Sequence, residues 1–190
     1  MAAGLFAMAC VVAISGCGVT IITVRHFAAP TRAQMVAATL TRSNIAGNWR
    51  FYSRHYAVAR PARSAGNQAR YYTDFVRGWK ETAQNLGDWT SAWNSIPAAR
   101  TAVRGLGRAH ARRGLVQRPL RLPKVGAQSF SSLFINRKQG YQEVFLAFRV
   151  GRMVGMIFVV SPRLHGLRAI ALAAAREDLP LLRTCARKCR

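Results

Sequence analysis

The chain has 190 residues, 51% of them apolar, which fits one domain with its own core and excludes a disordered basic tail. Lysine and arginine number 29 against 6 acidic residues, for a net charge of +23, so the surface repels itself and attracts polyanions. The cysteines are Cys10, Cys17, Cys185 and Cys189, which excludes a disulfide framework or a CxxC zinc site between residues 18 and 184.

No charged side chain occurs from Ala2 to Val24. Within that stretch GLFAMACVVA, residues 4–13, has the length and apolarity of a signal-peptide core. Ile14-Ser15-Gly16-Cys17 follows: a branched aliphatic, two small residues and a cysteine. The pattern resembles the lipobox of bacterial exported lipoproteins. In that class the thiol receives a diacylglycerol and a peptidase then cuts before the cysteine. The resemblance therefore implies that Cys17 is the acylated first residue of a cell-membrane lipoprotein whose domain lies on the extracytoplasmic side. Two or more acyl chains anchor a protein stably, at about 0.8 kcal/mol per buried methylene.

Two other readings of residues 1–24 stay open. No Lys or Arg precedes the apolar run, and GVTIITV (18–24) continues it. Residues 4–24 together are long enough to span a bilayer uncleaved. With Arg25, Arg32 and Arg42 following, such a span would leave a basic domain in the cytoplasm, where nucleic acid or anionic lipid is the available polyanion. The third reading is a buried core helix.

Residues 25–47 read as a linker and a helix capped by Thr31, with Met35, Val36, Ala38 and Leu40 on its apolar side. The α+β domain is expected over 48–184. NWRFYSRHYAVAR (48–60) alternates as a strand, Trp49, Phe51, His55 and Ala57 against Tyr52, Arg54 and Tyr56. PARSAGNQ (61–68) is a turn, and ARYYTDFVRGW (69–79) a second strand. KETAQNLGD (80–88) reads as a polar connection broken at Gly87, with a short strand at 89–95. A helix begins at Ser95-Ile96-Pro97 and ends at Gly114, with Ala99, Ala102, Val103, Leu106 and Ala109 as its apolar stripe. Residues 115–126 carry two prolines and read as an extended loop.

SFSSLFIN (129–136) reads as a strand leading into a hairpin, YQEVFLAFRV and MVGMIFVV around Gly151-Arg152. Glycine in the first loop position suits a type II′ turn and fixes the register. Val150 should face Met153, Phe148 Gly155, Leu146 Ile157 and Val144 Val159, an apolar set; the opposite, mixed face should be partly covered at most. A helix from about Leu164 to Leu179 should lay Leu167, Ile170, Ala171 and Ala174 on the sheet and stop before Pro180, leaving 185–190 as a basic tail. Strands in twos and threes between helices indicate an α+β fold with a mostly antiparallel sheet covered by two or three helices.

LPKVGAQSF, the hairpin ending FRVGRMVGMIFVV and the final Ala- and Leu-rich helix together resemble a loose class of small exported lipoprotein domains from Gram-positive, especially actinobacterial, bacteria. In that class a G-QS turn precedes the sheet, an FRxG hairpin follows, and a last helix covers one face. The resemblance is best over 120–184. It implies a fold and carries no catalytic residues.

The residues themselves point the same way. The acids are Asp74, Glu81, Asp88, Glu143, Glu177 and Asp178, and no two are spaced for acid–base work or a divalent ion. Each is expected in a surface ion pair with one of the arginines. The histidines, His26, His55, His110 and His165, form no HExxH, and no G-x-S-x-G or P-loop occurs. Neither enzyme nor cofactor is expected. The patterned charge is Arg100, Arg104, Arg108 and Arg112, every fourth residue of one helix. Like charges at that spacing cost a few tenths of a kcal/mol per pair, a cost an anionic partner removes. A phospholipid headgroup or a wall polymer suits that stripe; a solvated face is the plainer alternative. The aromatics among arginines, Trp49, Phe51, Tyr52, Tyr56, Tyr71 and Tyr72, are placed either as a nucleic-acid stacking platform or as core.

Overall fold

The computed structural model describes residues 10–15, 18–23, 27–58, 66–78, 83–111, 115–162 and 166–188, with side chains from 27 on except those of 107–111. Strands β1 (Cys10–Ser15) and β2 (Gly18–Thr23) form an antiparallel hairpin. The connection between them, and with it Cys17, lies outside the described residues.

The domain is α+β. Helix α1 (Arg32–Ala37) and a 3-10 turn (Arg42–Asn44) lead into β3 (Arg50–Val58), β4 (Asn67–Arg77) and β5 (Gln84–Trp93). Helix α2 (Ile96–Ala111) crosses to β6 (Val116–Pro119), β7 (Gln128–Asn136), β8 (Tyr141–Val150) and β9 (Met153–Ser161), and α3 (Leu167–Lys188) closes the fold. The sheet has seven antiparallel strands in the order β3-β4-β5-β9-β8-β7-β6. It is two meanders that meet where β5 pairs with β9.

Local chemistry explains the elements that match expectation. Thr31 Oγ1 accepts the Gln34 N–H at 3.2 Å and Gln34 Oε1 accepts the Thr31 N–H at 2.8 Å, a complete capping box for α1. Ser95 Oγ accepts the Ala98 N–H at the start of α2. The β8–β9 register is the expected one, Val150 on Met153 through Val144 on Val159, around Gly151 at φ +57°. Phe148 lies against the bare backbone of Gly155.

Four expectations are corrected. First, residues 84–88 are strand, and Gly87 does not break it. A Cβ there would sit 1.8 Å from Phe158 Cζ, so the glycine makes room for a ring from β9. Second, the second face of the hairpin is buried too: Phe145, Ala147 and Val154 lie under Ala99 and Val103 of α2. Third, α3 continues through Pro180 to Lys188, because Leu182 and Cys185 are buried on the sheet and hold it there. The residues read as a tail from 185 thus begin inside a helix. Fourth, β3 bulges at Tyr52, which breaks the simple alternation and puts Phe51 and Tyr56 on one face with His55 on the other. In addition, residues 116–119 pair with β7 as a short edge strand.

The two faces carry separate cores. Helices α1 and α3 cover one, with Met35, Leu40, Phe75, Leu86, Phe148, Ile157 and Leu182 fully buried, each worth about 1.5–3 kcal/mol. The segment after α1 is tied to the sheet by three side chains. Thr90 Oγ1 donates to the Ala38 carbonyl, Thr73 Oγ1 to the Leu40 carbonyl, and Asp88 Oδ2 accepts the Leu40 N–H at 2.6 Å. Helix α2 covers the other face over β7 and β8. No helix among the described residues is long and apolar enough to cross a membrane.

Candidate functional site

The arginine stripe is formed as far as the described residues reach. Arg100 and Arg104 are exposed on α2, one turn apart, opposite buried Ala99 and Val103. The side chain of Arg108, and all of Arg112, lie outside the described residues. Arg100 faces the tip of the β8–β9 hairpin. Its carbonyl accepts from Gln128 Nε2 at 3.3 Å, and Gln128 Oε1 accepts from Arg149 Nε at 3.4 Å. Burial and, second, the Arg100 charge pull Arg149 below the usual guanidinium range.

That tip is where the chain from the N-terminal segment docks. Phe27 donates its N–H to the Asn94 carbonyl at 3.1 Å and accepts from Gln68 Nε2 at 2.6 Å. Arg152, in the hairpin turn, lies over the Phe27 ring and donates to the Ala28 and Trp93 carbonyls at 2.7 and 3.0 Å. The same end holds the last turns of α3, where Ala186 and Gly151 line one pocket. That pocket, of about 290 Å³, opens between Phe27, Ile96, Val150, Arg183, Ala186 and Arg187.

The described acids lie elsewhere, and Glu81 is outside the described residues. Asp74 accepts from Ser53 Oγ at 2.8 Å and pairs with the Gly87 position, toward the far end of β4. Glu143 is the third residue of β8, beside the β7–β8 turn at the far end. Glu177 lines a cleft with Asn44, Ile45 and Arg77. Asp88 and Asp178 are fully buried, one on β5 and one on α3, which corrects the expectation of surface ion pairs. Asp178 has no hydrogen-bond partner on either oxygen, and Asp88 has none on Oδ1. Burial pushes the Asp88 pKa up to about 7, opposed by the Leu40 N–H and aided by the Asp74 charge. Burial, then the charge of Asp88, holds Asp178 well above the ordinary carboxylate range. Both lie in the closed core, where burial favours the protonated form. The sequence held one sign of this: Asp178 falls in step with Ala171, Ala174, Ala175 and Leu182 on the buried side of α3.

The aromatics divide between the two faces of the sheet, and His55 lies 5.4 Å from Tyr72 on the face away from α1. Trp49 and Tyr71 are core, Tyr52 is 73% exposed at the bulge, and Phe51 and Tyr56 face the α1 side. Tyr72 instead stacks on Trp89 at 5.4 Å on the opposite face, and Trp89 meets Phe158 edge-on. Among the described residues no three His, Cys, Asp or Glu side chains are grouped to hold a metal.

No protein-family model matches the chain, and no curated protein matches it in sequence. Among solved structures the fold is similar to the extracellular domain of PknH from Mycobacterium tuberculosis, with a TM-score of 0.58. The match spans 85% of this chain and 99% of that one, at 6% sequence identity. At that identity the likeness is one of fold.

Proposed function

We propose that this is a lipoprotein held at the cell membrane through Cys17, with a non-catalytic binding or envelope-structural domain on the extracytoplasmic side. The observation that carries the reading is the likeness of the fold to a domain that is extracellular in its own protein. The Ile14–Cys17 pattern behind an uncharged apolar run supports it from the sequence. The domain's part in this reading is to present cation: exposed Arg100 and Arg104, with Arg108 and Arg112 in the same series, face anionic phospholipid or wall polymer beside the anchor.

The test is acylation and sidedness. Cys17→Ala should abolish metabolic labelling by fatty acid and release the protein from the membrane fraction. A reporter fused after Arg190 should be active only outside the cytoplasm. Unchanged labelling in the variant, or a reporter active in the cytoplasm, replaces this reading with the uncleaved single-pass protein, whose basic domain would face nucleic acid.

A further inference from the structure

One end of the sheet is built differently from the other. It gathers the β8–β9 turn, the start of α2, the last turns of α3 and the docked Phe27. Its described charges are Arg100, Arg149, Arg152, Arg183, Arg187 and Lys188, and no described acid lies there. Arg149 and Arg152 are buried and spend their donors on carbonyls and amides of the fold. Arg183 and Arg187 are exposed one turn apart and reach the rim of the pocket whose floor is apolar. Ile96, 40% exposed, stands at the same rim. Cations at a helix C-terminus offset its dipole, which accounts for Arg187 and Lys188. The dipole effect fades within the last turn, so it does not account for Arg183, nor for an apolar side chain left bare between arginines.

The tether leaves the domain at this end. Ten Cα steps separate Cys17, the anchored residue, from Phe27, a reach of about 35 Å at most, so this is the end of the domain from which the chain runs to the membrane. Guanidinium groups over an apolar floor match the phosphate and upper acyl region of a bilayer.

We propose that this end of the domain is laid against the bilayer, with Arg183 and Arg187 on the phosphates of anionic phospholipid and Ile96 and Phe27 toward its apolar edge. The proposal rests on the membrane-anchored reading and adds an orientation to it. The sheet then stands on end over the membrane, and the β7–β8 turn with Lys138 points away.

The full chain is reconstituted in vesicles of phosphatidylcholine with or without phosphatidylglycerol, carrying a headgroup spin label. A fluorescent amino acid replaces either Ile96 or Lys138. Quenching should be several-fold stronger at position 96 than at 138 when phosphatidylglycerol is present. Arg183→Glu with Arg187→Glu should abolish the difference while the chain still floats with the vesicles, and Arg183→Lys with Arg187→Lys should keep most of it. Circular dichroism of each variant checks that it is folded. Equal quenching at both positions on floated protein overturns the orientation alone. Failure of the wild-type chain to float overturns the anchored reading and this face with it.

Discussion

Asp88 and Asp178 make the residue scale testable. Both carboxyls are held above their ordinary range by burial, so the folded chain binds more protons than the unfolded one between pH about 4 and about 7. Stability is therefore fullest below the unfolded carboxylate pKa and falls as pH rises through about 7. Thermal melts should show the wild type losing stability from pH about 5 to about 8, and Asp88→Asn with Asp178→Asn should flatten that slope. A wild-type slope equal to the variant's would mean that the two acids are not neutral when folded. Glycines give a second contrast at this scale. A Cβ on Gly155 would lie 2.7 Å from Asp178 Oδ2 and from Leu182 Cδ1, while one on Gly105 meets nothing within 4 Å. Gly155→Ala should cost about 1–3 kcal/mol by overpacking. Gly105→Ala should gain about 0.5–1 kcal/mol, because it lies within α2. Denaturant midpoints read both. The hairpin register already sets Phe148 over Gly155, but its contacts with Asp178 and Leu182 come from α3 and are not local.

At the scale of elements, α3 is the informative case. Its first half was legible, since Leu167, Ala171 and Ala174 repeat at helical spacing and are buried. The expected stop at Pro180 followed from the lost N–H and the clash of the ring with the preceding turn. The helix passes it because Leu182 and Cys185 gain more by burial than the missing bond costs. Pro180→Ala should then stabilise the protein by about 1–3 kcal/mol, partly offset by a freer unfolded chain, without moving the helix boundary. Calorimetry and amide exchange over 181–188 check the two halves of that statement. Strand β5 shows the same lesson in the other direction. Gly87 reads as a breaker until Phe158, on a strand more than sixty residues later, is seen to need its space. The arginine series on α2 was legible because a period of four on a helix is a local property. Its contact with the hairpin tip through Gln128 was not.

For the whole molecule, charge dominates. With 29 basic residues against 6 acidic, and Asp88, Glu143 and Asp178 among the buried ones, self-repulsion opposes the folded state. Raising ionic strength from about 0.01 M to about 0.15 M shortens the Debye length from about 30 Å to about 8 Å, and the melting temperature should rise. A melting temperature that falls with salt would mean that specific ion pairs outweigh the net repulsion. Among the described residues Glu177 is the exposed acid and Asp74 is half-buried, and neither lies at the Phe27 end, so the repulsion is uneven and that end bears more of it. An anionic surface at that end would relieve it.

By itself the sequence determined the sign and scale of the charge, the uncharged apolar N-terminal segment, the α+β class, the Thr31 cap of α1 and the β8–β9 register. Each depends on composition or on residues a few positions apart. Only the tertiary structure decided that Gly87 is strand, that Pro180 is crossed, that both hairpin faces are covered, and that Asp88 and Asp178 meet in one core. It alone brought Phe27, Ile96, Arg183 and Arg187 to one end. Those outcomes depend on packing between segments far apart in the chain, where burial outweighs local preference.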